Sequence, residues 1–322
     1  MRLTRRSLTA GLAALPLPAR ASVEFGMPPL RGRDGWLFLG WEHPARMEPT
    51  ASENRVTGLL NQAGELLRAA GMVTGFVLIP AKTRVFADML PDAPFGPAAE
   101  GRYRAALEGL RRGFQVVPDL AGLFAAQRRA GGGEELFFRL DTHWRPAAAA
   151  LAAAETARML SPLLPGRPGN GMRLGPAVRE QRQRRDLGDL LPAAERAALP
   201  VESYMIRRPA PARAAGLLDE ARPEVAIVGS SFMAPEFNFH AELSAALDRP
   251  VSLHWRVQTR GLFRTLLDYL EGPEFRRQRP RAILLSHPEN AMGLNPESRG
   301  AYPETAMPGA AFLDGIRRAL AT

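Results

Sequence analysis

Three short apolar runs punctuate the chain, Gly75-Phe76-Val77-Leu78-Ile79, Val225-Ala226-Ile227-Val228 and Ala282-Ile283-Leu284-Leu285-Ser286, and Val251-Ser252-Leu253-His254-Trp255 predicts a further strand. Runs of this length predict strands buried on both faces. Between them, apolar positions recur at helical spacing. Residues 52–70 place Val56, Leu59, Leu60, Ala63, Leu66 and Leu67 on one stripe, and Gly71 is a natural stop. Residues 97–112, 238–247, 261–271 and 308–320 read the same way. Pro146 suits the first turn of a helix that the alanine-rich run 147–159 continues as far as Pro162. A turn at Asp34-Gly35 introduces a short strand at Trp36-Leu37-Phe38-Leu39, and Phe114-Gln115-Val116-Val117 predicts another. Strands alternating with helices predict a three-layer α/β fold, a mostly parallel sheet flanked by helices. Residues 161–222 interrupt this order. They are rich in Pro, Gly and Arg and lack clear periodicity, so they are expected to form an insertion with short helices, such as 192–198. No internal repeat or clean linker divides residues 22–322, which predicts a single domain.

The first 21 residues have a different character. Thr4-Arg5-Arg6-Ser7-Leu8 carries paired arginines, an apolar stretch runs from Leu8 to Leu17, and Ala19-Arg20-Ala21 offers a small-residue cleavage site. That pattern predicts a signal peptide similar to the twin-arginine type, cleaved after Ala21. Its apolar run is too short to span a bilayer. No other stretch approaches that length, so the exported protein is expected to be soluble, without a stable membrane span. No cysteine follows the leader, which excludes a lipoprotein. The chain has no cysteine at all, so disulfides, thiolate metal sites and cysteine nucleophiles are excluded.

Composition adds one qualification. The formal charge is +9 over 322 residues, and removing the four leader arginines leaves +5. Lys82 is the sole lysine, so the basic residues are otherwise all arginine. The excess favours an acidic polymer or simply a solvated basic surface. No helix stacks basic residues and no nucleic-acid module is present, so nucleic acid is not an expected partner. Gly131-Gly132-Gly133 lacks the lysine and spacing of a phosphate loop and predicts only a flexible connection. No cofactor is implied.

The chemistry concentrates in two stretches. Val228-Gly229-Ser230-Ser231-Phe232 ends a strand in a tight turn, at the edge where open α/β sheets place ligands. Backbone N–H groups free of helix bonds gather at such a turn and can receive an oxyanion. Serine is a weak nucleophile that needs a base, itself oriented by a third group. Asp141-Thr142-His143-Trp144 offers that pair. Plainer roles exist for each residue. His143 could be a satisfied structural histidine, Ser231 or Ser230 a helix cap, and Trp144 a packing residue rather than a platform for a sugar. Lys82 follows the strand 75–79 and could contact substrate or pair with a surface acid. Asp141 and His143 could ligate a metal, but no third ligand is evident. His43, His240, His254 and His287 have no ligand spacing, so no metal is expected.

In order, Trp-Leu-Phe near the start, Pro-x-Lys after a strand, Asp-x-His-Trp before a helix, Gly-x-Ser-Phe after a strand, a downstream Arg260-Gly261 and a final Pro288-Glu289 pair make a recognisable series. From about Gly32 to about Asn290 the chain resembles the periplasmic alginate O-acetyltransferase family of the AlgJ/AlgX type, a branch of the SGNH hydrolase-like fold. The resemblance implies Asp141 as orienting acid, His143 as base and Ser231, rather than Ser230, as nucleophile. It places Arg260 near the oxyanion or substrate; Lys82, Ser230 and Trp144 are further candidates around the site. It implies acetyl transfer through an acetyl-serine to hydroxyls of an exported polysaccharide in the periplasm, with a membrane-bound O-acyltransferase as a possible acetyl supplier. Ser286 and Asn290 stand where the family commonly carries glutamate and arginine, and the chain ends too early for a carbohydrate-binding module, so alginate itself is not implied. An exported carbohydrate acetylesterase and a non-catalytic polysaccharide-binding subunit of an export complex are the alternatives.

Overall fold

A computed structural model describes residues 27–42, 51–90, 96–210 and 222–321. The expected leader, residues 1–21, and His43 lie outside the described residues. The described chain begins with a small antiparallel pair, β1 (Leu30–Arg31) and β2 (Leu37–Phe38). Helix α1 (Ala51–Ala69) ends at Gly71, where a positive φ of 89° closes the turn. It feeds β3 (Val73–Ile79), the short α2 (Lys82–Val85), α3 (Pro97–Leu110) and α4 (Leu120–Ala130). Then follow α5 (Pro146–Leu160), β4 (Leu174–Gln181), α6 (Ala193–Ala197), β5 (Ser203–Pro209) and β6 (Val225–Gly229). The chain closes with α7 (Phe239–Leu247), β7 (Val251–Trp255), α8 (Gly261–Leu270), α9 (Pro273–Arg277), β8 (Ala282–Pro288) and α10 (Gly309–Leu320).

Strands β3, β8, β6 and β7 form a four-stranded parallel sheet in that order, so the last strand is inserted between the first two. Side chains alternate across it, as the two-residue strand period requires. Val77, Ile79, Val225, Ile227, Ala282 and Leu284 enter a core with residues of α4, α5 and α7. Phe76, Leu78, Ala226, Val228, Ile283 and Leu285 enter another with residues of α1, α3, α8 and α10. Both faces are therefore covered, which is why β3, β6 and β8 read as nearly unbroken apolar runs, while the edge strand β7 is only partly buried. The mostly parallel three-layer α/β architecture agrees with the sequence.

Two elements differ from expectation. Phe114–Val117 makes only one bridge, Val116 to Gly75. Pro118 has no N–H to extend the ladder, and Asp119 then caps α4 by accepting the Gly122 N–H. Within 161–222, the expected short helix appears as α6, but the main feature is an antiparallel ribbon, β4 against β5. Its strand pattern is hidden because β4 buries none of its residues fully, and β5 buries only Tyr204 and Ile206. No helix among the described residues is long and apolar enough to cross a membrane.

Candidate active site

Asp141 and His143 sit on a tight loop between Phe137 and Trp144, which bridge antiparallel. The Phe138 N–H donates to the His143 carbonyl, and the Arg145 N–H to that of Leu136. The loop is pinned from several directions. Glu202, just before β5, accepts the N–H groups of Arg139 and Leu140. The Lys82 ammonium donates to the carbonyls of Leu37, Arg139 and Asp141 at 2.5, 3.0 and 3.0 Å. Trp144, wholly buried, donates its indole N–H to the Phe232 carbonyl at 2.9 Å, tying this loop to the serine turn.

The serine turn follows β6 directly. Gly229 is needed there: a Cβ would meet Met233 Cγ at 2.9 Å and Ser286 Cβ at 3.0 Å. Ser231 opens a single helical turn to Met233. Its N–H and that of Phe232 have no partner within the turn, as expected at a helical start.

The two loops bring three side chains into one chain of hydrogen bonds. His143 Nε2 lies 2.8 Å from Ser231 Oγ, and His143 Nδ1 lies 2.7 Å from Asp141 Oδ1. The imidazole is covered by Phe237, nearly parallel at 4.8 Å, and by Phe232. Asp141 Oδ1 also accepts the His143 N–H at 2.9 Å, so residues two apart bond each other through both backbone and ring. Asp141 Oδ2 receives Arg182 Nη2 and Nε at 2.7 and 3.1 Å. Burial raises the Asp141 pKa, but His143 and Arg182 outweigh it and hold the carboxyl well below its usual range.

Sequence reasoning missed Arg182 and Asp186. Arg182 follows β4, lies over Phe138 and Phe237, and also pairs with Glu236 at 2.7 Å. Asp186 accepts the Thr142 N–H at 2.7 Å and places its other oxygen 3.6 Å from His143 Nδ1. Burial and the Asp141 charge push Asp186 up to about 7. No sequence signal marks either residue, because they lie in the stretch without periodicity and reach the site only through the ribbon. Asp186 also supplies the third ligand type that the sequence did not reveal: donor atoms of Asp141, His143 and Asp186 lie within 4.8 Å of one another. The Arg182 guanidinium on that same Asp141 carboxylate opposes a cation there.

The remaining candidates fall into different places. Lys82 is 1% exposed, so it reaches neither solvent substrate nor a surface acid; burial lowers it to about 8. Ser230 is buried beside Ser231, and its hydroxyl has no partner among the described residues. Trp144 is too enclosed to serve as a sugar platform. Arg260 directs its guanidinium to Asp268 at 2.7 and 2.9 Å rather than to the triad.

The parallel sheet, covered on both faces and carrying the serine turn at the carboxyl end of β6, defines an open-sheet α/β protein. A family model for the SGNH hydrolase-like domain of the acetyltransferase AlgX matches residues 30–289. The chain belongs to that family and is an O-acetyltransferase. Among its relatives are proteins named probable alginate O-acetylase AlgJ. The one from Pseudomonas fluorescens is 27% identical over 280 residues, spanning 84% of this chain and 70% of the relative. The one from Pseudomonas aeruginosa is 26% identical over 283 residues, spanning 80% and 68%. Two solved structures share the fold. The O-acetyltransferase domain of Pseudomonas putida AlgJ has a TM-score of 0.67 at 24% identity, over 90% of this chain and 99% of that one. Pseudomonas aeruginosa AlgX has a TM-score of 0.66 at 18% identity, over 91% and 68%.

Proposed function

We propose that the protein transfers acetyl groups to hydroxyls of an exported polysaccharide through Ser231, His143 and Asp141. The observation that carries this is the unbroken hydrogen-bond chain from Ser231 Oγ through both ring nitrogens to a buried carboxylate. His143 Nε2 takes the hydroxyl proton as Ser231 attacks the acetyl donor, and Asp141 fixes the tautomer. The free N–H groups of the serine turn receive the oxyanion. Collapse expels the donor's leaving group, which takes the proton from His143, and leaves an acetyl-serine; an acceptor hydroxyl, deprotonated by His143, then attacks the acetyl carbon, and Ser231 Oγ leaves with that proton. The AlgJ relatives, named for alginate, support a polysaccharide acceptor. Charge favours an acidic one: residues 161–210, which include the ribbon beside the site, carry nine arginines against five acids. The signal-peptide pattern of residues 1–21 supports a periplasmic setting for this reading, with a membrane-bound O-acyltransferase as the acetyl supplier. This reading takes residues 22–322 as one catalytic domain.

The test is intact-mass spectrometry of the exported protein incubated with a chromogenic acetyl ester. A gain of about 42 Da, absent from Ser231→Ala, is the expected result. Adduct followed by release to water alone, with every polymer tried, would make the protein an acetylesterase. No adduct, with polymer acetylation in the native host unaffected by Ser231→Ala, would leave only the binding-subunit role.

A further inference from the structure

We propose that Asp186 is a second carboxylate partner of His143: it supplies the negative charge against which the ring becomes positive, while Asp141 fixes the ring's orientation. Its catalytic meaning rests on the acyl-transfer function above; its effect on the ring does not. Asp141 is closed on every side. Oδ1 is shared by the His143 ring and backbone N–H groups, and Oδ2 holds the Arg182 fork. A guanidinium in two-point contact largely balances that carboxylate. Asp186 is situated differently. One oxygen accepts a neutral backbone N–H, the other stands 3.6 Å from His143 Nδ1, and among the described residues no arginine or lysine pairs with it. Its side chain is 26% exposed, so its charge state can follow the solvent.

Two carboxylates on one ring nitrogen can thus divide their duties. When Ser231 Oγ attacks an acyl carbonyl, the Oγ–C bond forms, the carbonyl π pair moves to oxygen, and the hydroxyl proton passes to His143 Nε2. The ring then carries a positive charge between Phe232 and Phe237, where it is only partly open to water. The charged groups facing the pair are Asp141, Arg182 with Glu236 behind it, and Lys82, whose ammonium is spent on three carbonyls. Asp186 is therefore the nearest acid whose charge is not already matched. Its elevated pKa, about 7, places its ionisation close to the pH at which a histidine base operates. Asp186 acts through His143 and is a positioning residue, not one that touches substrate.

The experiment follows the His143 ring by NMR in full-length protein labelled with ¹⁵N-histidine, the resonances being assigned with His143→Gln. Asp186→Asn keeps an acceptor for the Thr142 N–H and removes the charge. The ring is expected to take up its proton about one pH unit lower, roughly tenfold in the protonation equilibrium. Ester kcat/KM should fall about tenfold near pH 7–8 through kcat, the pH–rate profile should move with the NMR titration, and the melting temperature should hold. Asp186→Ser, which cannot carry the charge either, should shift the ring in the same direction. Titration curves and pH–rate profiles of both variants superimposable on the wild type would overturn the proposal. A wild type that gains no acetyl group and turns over no ester would remove the acyl-transfer function instead, and the ring titration alone would still decide the role of Asp186.

Discussion

At the scale of single residues, the site depends on how one buried carboxylate is satisfied. Asp141 has no exposed surface and spends both oxygens, one on His143 and one on Arg182. Removing one partner of a buried ion pair strands the other and costs about 3–5 kcal/mol. Arg182→Met, similar in length and able to stay between Phe138 and Phe237, is therefore expected to lower the unfolding free energy by about 3–5 kcal/mol, seen as a fall in the thermal unfolding midpoint. Arg182→Lys should recover part of it, because a point charge remains but the fork is lost. Equal midpoints for wild type and Arg182→Met would mean that water satisfies Asp141 as well as the guanidinium does.

At the scale of elements, the site is the meeting of two loops and a ribbon. Trp144 is the strut between the loops, its indole N–H on the carbonyl of Phe232. Trp144→Phe fills most of the space but leaves that carbonyl unpaired, at about 1–3 kcal/mol. It should also loosen the Ser231–His143 distance, lowering ester kcat by more than KM changes; a change confined to KM would deny the strut its role. Much of this scale was legible in the sequence. The apolar runs at 225–228 and 282–286 announced strands because both sheet faces are covered, and the Gly-x-Ser turn after the first of them and the Asp-x-His pair before α5 singled out Ser231, Asp141 and His143 as candidates. The ribbon was not legible: a two-stranded element lying on the surface has neither a buried run nor a full alternation to display. Arg182 and Asp186 were hidden with it. Lys82 was legible as a residue at the edge of the sheet, but not as a buried donor. Its three acceptors are backbone carbonyls from two distant segments, which sequence pattern does not encode.

At the scale of the whole molecule, stability responds to pH through groups of opposite sign. His287 lies inside β8, donates Nε2–H toward the Ala291 carbonyl at 3.2 Å, and is pulled down to about 4 by burial. Its folded value lies below its ordinary 6.5, so its contribution is complete above pH 6.5 and is lost as pH falls toward 4, on the order of 3 kcal/mol. Glu42 and Asp186 behave oppositely. Burial raises both to about 7, so their contributions are complete below the usual carboxylate range and disappear as pH rises through 7. Between pH 7 and 5 these trends oppose each other. His287→Gln, which keeps a donor for Ala291, should make the protein more stable as pH drops across that window, where the wild type changes less. Thermal unfolding at half-unit pH steps decides it, and parallel curves for the two proteins would remove His287 from the account. The ribbon has one more consequence, for the order of events as the chain folds. Ser231 and His143 are 88 residues apart, and Arg182 reaches back 41 residues to Asp141. Closing such long loops is slow compared with forming local helices. On refolding from denaturant, ester turnover should return after the far-ultraviolet signal, because the hydrogen-bond chain from Ser231 to Asp141 is complete only when the last long-range piece has docked.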